Sequence, residues 1–444
     1  MEEKNNVQVT NTPSIEYILR PITYTSWLLG VGIARPRNSS KAIMIIKRVV
    51  YLVVYIVHQI YYAIRFVKFN NEFATGSSIS ELVYILAIVT FYVLAYYSAY
   101  DGIKQYGKWP ELMDKINELD QKIRKQIPIN DRPVKNLVIL AILTTLVWCP
   151  LALIVYVLYY YFTNSEISYV SAILNIFVEV PFFISNFVFN IIVYVIYYRF
   201  KTINKLIGQL NKSLSDPSWI TLKVRRIREL HTGICHLVSM INDIYGLYLL
   251  FHSMNCFVAV TCTLFIIYEE VLAKNYPYTL INCIFCIIKF GQFGLMCRIC
   301  TLAHQESDKI GRSIYEIIFN RKFMNLGKIN ETKIQSSLEI YPPFEDSDSE
   351  QNSSSGHNLN YSVFENLSRR NLDRDCVRKE INDFLVQLQQ SRVAFTACDY
   401  FEINNALFSG FVGTIITYLI IFIQLYQRPK NLDENVNSRM FTEK

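Results

Sequence analysis

The chain is short of charge. Only 18% of its 444 residues are Asp, Glu, Lys or Arg, against about 25% in a soluble domain, so it has too little polar surface to cover a soluble body of this size. Catalytic patterns are missing as well. There is no Gly-x-Ser-x-Gly, His-Glu-x-x-His, phosphate-loop or dinucleotide-binding glycine pattern, and the 6 histidines are scattered. These absences exclude most soluble enzyme classes and leave no enzyme activity and no cofactor to expect. With 15 glycines the chain is not collagenous, and it shows no solenoid repeat. The opening MEEKNNVQVTNTPSIEY lacks the apolar stretch of a secretory signal, so the N-terminus is expected in the cytosol. What is abundant is apolar and aromatic: 52% hydrophobic residues, 14% aromatic, with 31 Tyr and 28 Phe. That composition points to a membrane protein.

A membrane-spanning helix needs about 20 mostly apolar residues. Seven segments qualify, near 49–67, 82–100, 137–162, 167–198, 244–268, 278–303 and 403–426. The expected fold is therefore all-α, a polytopic membrane protein of seven helices. Basic residues in the loops orient it. Of 44 Lys and Arg, 35 lie in the N-terminal segment and the second, fourth and sixth loops, which are accordingly cytosolic. The N-terminus is then inside and the C-terminus outside. The sequons at Asn38, Asn211, Asn330, Asn352, Asn360 and Asn366 all fall on the side so assigned to the cytosol, consistent with the absence of glycan transfer there. Basic charge sorted in this way explains the net +7 without a nucleic-acid partner.

Several spans continue as amphipathic helices. The fourth runs on through Ile203, Leu206, Ile207, Leu210 and Leu214 until Asp216 and Pro217 break it. Ile220, Val224, Ile227, His231, Ile234, Val238 and Ile241 lead into the fifth. Val377, Ile381, Phe384, Leu388, Ser391, Phe395 and Cys398 precede the seventh. Seams of this three-four spacing want helical partners, predicting a cytosolic anchor bundle, with a second-loop helix (Leu112, Ile116, Leu119, Ile123) beside it. Residues 325–372 are polar, acidic and Ser-rich, and read as a disordered loop. The expected division is 1–48, a cytosolic N-terminal segment; 49–303, a six-helix bundle; 304–402, anchor helices with that loop; 403–426, the seventh span; and 427–444, an extracellular tail.

Of the 10 cysteines, six (Cys149, Cys256, Cys262, Cys283, Cys286 and Cys297) lie in apolar runs and read as buried thiols. Cys283 and Cys286 with Cys297 and Cys300 imitate a zinc motif. Fourteen residues of one helix, roughly 21 Å, separate the two pairs, so no metal site is expected. Charges within the spans are few: Glu179, Lys289 and Arg298. By depth Glu179 and Lys289 meet, either as an ion pair or about a polar ligand. Aromatic residues crowd the outer halves of spans two to six, including Trp148, Tyr156, Phe182, Phe183, Tyr268, Tyr278 and Phe285, with Asn282 among them. Trp148, Tyr156, Glu179, Phe182, Asn282 and Lys289 are the candidate pocket for a small organic ligand. On the seventh span Gly410, Thr414, Thr417, Ile421 and Gln424 share one face. This small and polar stripe suits either a water-lined axis between several copies or tight helix packing through Ser409-x-x-x-Gly413.

The stretch from Thr417 and Tyr418 through five hydrophobic residues to Gln424 resembles the Thr-Tyr, five-hydrophobic, Gln-Phe signature that ends insect gustatory receptors. The lead-in from Phe395 is similar too, and the closing Phe is Leu425 here. Outside the last 50 or so residues the likeness is one of topology. The resemblance implies a ligand-gated, non-selective cation channel in the plasma membrane, with four subunits around a pore lined by the last helix. It also implies a small-molecule tastant as ligand, lipid around the spans, and assembly as a homotetramer or with other receptor subunits. By carry-over, Gln424 and Leu425 fall at the extracellular gate. An insect odorant receptor subunit shares this architecture. A G-protein-coupled receptor would require an external N-terminus, and a transporter broken helices and repeated halves.

Overall fold

The structure, a computed structural model, describes residues 14–29, 33–72, 78–162, 169–212, 217–336 and 376–442. Ten helices and one small hairpin make up the described chain: α1 (Ile15–Leu28), α2 (Lys41–Glu72), α3 (Ser78–Lys104), α4 (Lys108–Arg124), α5 (Arg132–Phe162), α6 (Tyr169–Lys212), α7 (Pro217–Leu272), α8 (Tyr276–Ser336), α9 (376–390), β1 (Thr396–Ala397), β2 (Phe401–Glu402) and α10 (Asn405–Thr442). Seven helices, α2, α3, α5, α6, α7, α8 and α10, are long and apolar enough to cross a membrane.

Helix α6 is the central post, with 89% of its most apolar window buried. Almost every residue from Phe182 to Phe200 is buried, the polar Ser185, Asn186, Asn190 and Arg199 included, so nearly every face is covered by a neighbour. Below the spans, at the end where the basic loops lie, the three-four seams become the core of a second bundle. Ile220, Val224, Ile227, His231, Ile234, Val238 and Ile241 of α7 are all buried, as are Leu112, Ile116, Leu119 and Ile123 of α4. Arg199 of α6 is fully buried there. Its Nε and Nη2 donate to the two carboxylate oxygens of Asp120 at 2.6 and 2.8 Å, and its Nη1 to Asp131 at 2.8 Å. Arg228 of α7 reaches Glu380 of α9 at 2.9 Å.

Three boundaries differ from the sequence reading. Helix α2 begins at Lys41 and not near 49, because its first charges are absorbed. Lys47 lies 3.3 Å over the Trp27 ring, and buried Arg48 donates to the carbonyls of Ser98 and Ala99. Only glycine at 102 leaves room for that guanidinium. Helix α8 runs on to Ser336, past the expected start of a loose loop at 325, and 337–375 lies outside the described residues. The seam expected to run helically through Ser391, Phe395 and Cys398 ends in α9, and its last part is the hairpin. Cys398 and Asp399 both have positive φ (50° and 60°), and Tyr400 N–H donates to the Ala397 carbonyl, the geometry of a tight hairpin turn. Asn242 of α7 pins it: its Nδ2 donates to the Ala394 carbonyl at 2.8 Å and its Oδ1 accepts from Thr396 N–H at 3.2 Å.

Helix α1 is an element the sequence reading does not contain. Ser14 caps it, accepting from Tyr17 N–H, and Ile15, Ile18, Leu19 and Ile22 form its buried face.

Candidate ligand cavity and the uncovered seventh span

Glu179 of α6 and Lys289 of α8 meet within the upper bundle, Lys289 Nζ donating to Glu179 Oε1 at 3.1 Å. They line a cavity of about 50 Å³ enclosed by α3, α5, α6, α7 and α8. Part of its wall is aromatic. Trp148 lies parallel to Phe183 with ring centroids 6.4 Å apart and edge-on to Phe285 at 5.4 Å, while Phe91 meets Phe182 edge-on at 5.6 Å. The rest is mostly polar: besides the ion pair, Asn186, His252, Asn255 and Gln292 face it. Tyr248 O–H donates to Asn186 at 2.9 Å, and the Tyr248 ring stacks on His252 with an interplanar angle of 5°. A long contact from Cys256 Sγ to the Lys289 carbonyl, 3.7 Å, ties α7 to α8 at this level.

Of the six pocket residues named from sequence, the structure brings Trp148, Glu179, Phe182 and Lys289 together around one space. Asn282 is not among the lining residues; its amide donates back to the Tyr278 carbonyl of its own helix. The Tyr156 side chain lies outside the described residues. Sequence reasoning left His252 among the scattered histidines and passed over Asn186, Asn255 and Gln292. A signal was available: His252 with Asn255, and Lys289 with Gln292, are each three apart and therefore share a helix face.

Helix α10 starts from a built cap. Asn404 Oδ1 accepts from Leu407 N–H, and Thr301 Oγ1 of α8 accepts from Asn405 N–H. Its packed face carries Phe408, Phe411, Ile415, Leu419, Phe422 and Tyr426 against α8, α7 and α3. Phe408 lies tilted against Phe290 with centroids 4.8 Å apart, and Phe411 against Phe293 at 4.6 Å. The stripe of Gly410, Thr414, Thr417, Ile421 and Gln424 is exposed, with Leu425 beside it and Tyr418 reaching Phe257 at 5.8 Å. At 100° per residue the stripe points about 140° away from the packed face. A side chain at Gly410 or Gly413 would meet nothing within 4 Å, so the small residues serve no packing within this chain.

Seven apolar helices, five of them around a small aromatic and polar cavity and the last carrying an uncovered stripe, define a multi-pass membrane protein. The chain belongs to the 7tm chemosensory receptor family, whose model matches residues 19–326 and 362–428. No curated protein sequence matches it. In fold it is similar to the insect olfactory receptor OR5 from Machilis hrabei, at 13% identity and a TM-score of 0.56, covering 93% of this chain and 98% of that one. The same receptor in complex with eugenol matches at 14% identity and a TM-score of 0.56.

Proposed function

We propose that the chain is a gustatory-type subunit of a ligand-gated, non-selective cation channel, opened by a small tastant and lined by α10 of four subunits, either copies of this chain or related ones. The observation that carries the reading is the stripe on α10. The Thr414 and Thr417 hydroxyls donate to the Gly410 and Gly413 carbonyls of their own helix, so Gln424 is the group of the stripe least suited to hydrocarbon; around a shared axis the stripe lines water. Leu425, at the outer end of the stripe next to Gln424, seals such a ring by dewetting when it is narrow. With the basic loops in the cytosol of a plasma-membrane protein, the N-terminus and the lower bundle are inside, residues 304–402 belong to the shared anchor, and residues beyond 426 are outside.

The cavity is the ligand site in this account. At about 50 Å³ it is far below the roughly 300–1,000 Å³ of small-molecule pockets, so an occupant of tastant size has to push its aromatic wall outward. Helix α8 is part of that wall through Phe285 and Lys289, and its next residues, Phe290 and Phe293, are the ones seated on α10. Widening the cavity therefore moves one of the helices on which the pore helix is seated. The gustatory assignment rests on the Thr417 to Gln424 signature. The rival assignment, an odorant receptor subunit, is favoured by the likeness in fold to an olfactory receptor that is described bound to eugenol.

The test is whole-cell current from cells expressing this chain alone, challenged with sugars and bitter compounds under G-protein block. An evoked cation current that survives the block is the expected result. A response abolished by the block contradicts a channel.

A further inference from the structure

Along α2 every third or fourth residue from Ile43 to Ile64 is exposed and apolar, a stripe that faces lipid once the helix spans a membrane. It is roughly 32 Å long at 1.5 Å per residue, about the 30 Å of a bilayer's hydrocarbon, so Ile43 marks the edge nearest the basic loops. Lys47, one turn further on, stands roughly 6 Å inside that edge. Its Nζ lies 3.3 Å over the Trp27 ring and donates to the Trp27 carbonyl at 3.4 Å. It has no carboxylate partner among the described residues.

Helix α1 is the other wall of this notch. Ile15, Ile18, Leu19 and Ile22 face the bundle, where α1 packs on α5, α6 and α4, yet its opposite side is not simply polar. Tyr17, Tyr24 and Leu28 are exposed there. Arg20 Nη2 lies 3.5 Å from the Tyr24 hydroxyl, and Trp27 follows one turn beyond. Aromatic rings with a basic residue on an exposed helix face suit the headgroup layer of a membrane. The one carboxylate of α1, Glu16, is taken by Arg37 at 2.6 Å, and Arg20, like Lys47, has no carboxylate partner among the described residues. Positive charge is thus left unbalanced at headgroup depth, between two walls that present apolar surface to lipid.

We propose that the notch between the end of α1 and the start of α2 holds the phosphate of an anionic phospholipid. Lys47 takes the phosphate beside the Trp27 ring, Arg20, two turns back along α1, adds its field, and the acyl chains lie along the α2 stripe. The site goes beyond the channel reading and does not need it. An ammonium carries three donors and the Trp27 carbonyl uses one, so two remain for phosphate oxygens. A zwitterionic headgroup brings a cation of its own, which Lys47 and Arg20 repel. A free phosphate ion lacks the chains, and with them the apolar contact.

The experiment is thermal-shift titration of the purified full chain in neutral detergent with dioleoyl phosphatidylglycerol, dioleoyl phosphatidylcholine and glycerol phosphate. Phosphatidylglycerol is expected to bind at least about fivefold tighter than phosphatidylcholine, the scale of one basic residue at a charged surface, and glycerol phosphate to give no shift. Lys47→Gln should bring the two lipids to equal affinity, while Lys47→Arg keeps the preference. Arg20→Gln, at an exposed position, should narrow the preference and carries the test if Lys47→Gln does not fold. Arg225→Gln, on α7 of the lower bundle where it faces Glu229, should leave the preference unchanged. Equal binding of the two lipids, a shift given by glycerol phosphate as large as the lipid's, or a full preference in the folded Lys47 and Arg20 glutamine variants overturns the inference. An equal loss in Arg225→Gln overturns it too, since the preference would then come from diffuse charge and not from this notch.

Discussion

Arg199 is the residue on which the lower bundle turns. Its fork is matched to both oxygens of Asp120 and to Asp131, with no exposed surface, and Asp131 also takes Arg124 at 2.8 Å. Removing one member of a buried ionic group strands the others. Arg199→Met should therefore cost about 3–5 kcal/mol, read as a lowered midpoint in thermal unfolding of the purified protein. A melting curve unchanged from wild type would mean that the two carboxylates find other partners. In the cavity the same logic applies more weakly, because Glu179 and Lys289 are a third exposed. Lys289→Met alone should destabilise, and adding Glu179→Gln should restore much of the loss, a coupling of about 0.5–3 kcal/mol by double-mutant cycle. This pair was legible as charges standing in apolar runs. Asn255 and Gln292 were not, because a search for charge passes over amides, and only the packed helices bring them to the cavity.

Helices, by contrast, were largely legible, since their burial follows the spacing of apolar residues. The seam from Ile220 to Ile241 is buried at every named position. Helix α1 has the same spacing behind its Ser14 cap, within the stretch expected only as a cytosolic N-terminal segment over 1–48. The hairpin was not readable. Over the few residues from Val393 to Cys398, helical and strand periods are hard to separate, and what decides is Asn242, about 150 residues earlier, holding Ala394 and Thr396. Gly246 completes the fit, since a Cβ there would stand 3.1 Å from the Cys398 nitrogen. Helices α3, α7 and α8 each touch both the cavity and α10; in the proposed gating α8 is the shortest link, with Phe285 and Lys289 on the cavity and Phe290 and Phe293 on α10. Phe408→Ala with Phe411→Ala should leave ligand binding intact and abolish the evoked current, measured side by side on one preparation. Loss of both together would mean that these rings shape the cavity and do not carry its motion.

At the scale of the whole molecule, the chain is an incomplete object. Its central helix is covered on all sides, while α10 is the least covered of the spans, with 11% of its window buried. Of the stripe that faces away from its own bundle, Gln424 is the group least suited to lipid, the Thr414 and Thr417 hydroxyls being bonded to their own helix. In the proposed assembly four chains sharing an axis along α10 give the stripe water to face, and the lower bundle, tied by Arg199 and Arg228, is the base from which α10 springs at Asn404. In that proposed assembly Leu425, beside Gln424 at the outer end of the stripe, is the apolar seal of the path. A charge placed there would keep the ring wet. The most direct measurement is therefore the standing current of Leu425→Asp in cells expressing this chain alone, with no ligand present. The account predicts a constitutive cation leak absent from wild type. Membranes as tight as those of untransfected cells, with the variant shown at the surface, would contradict it.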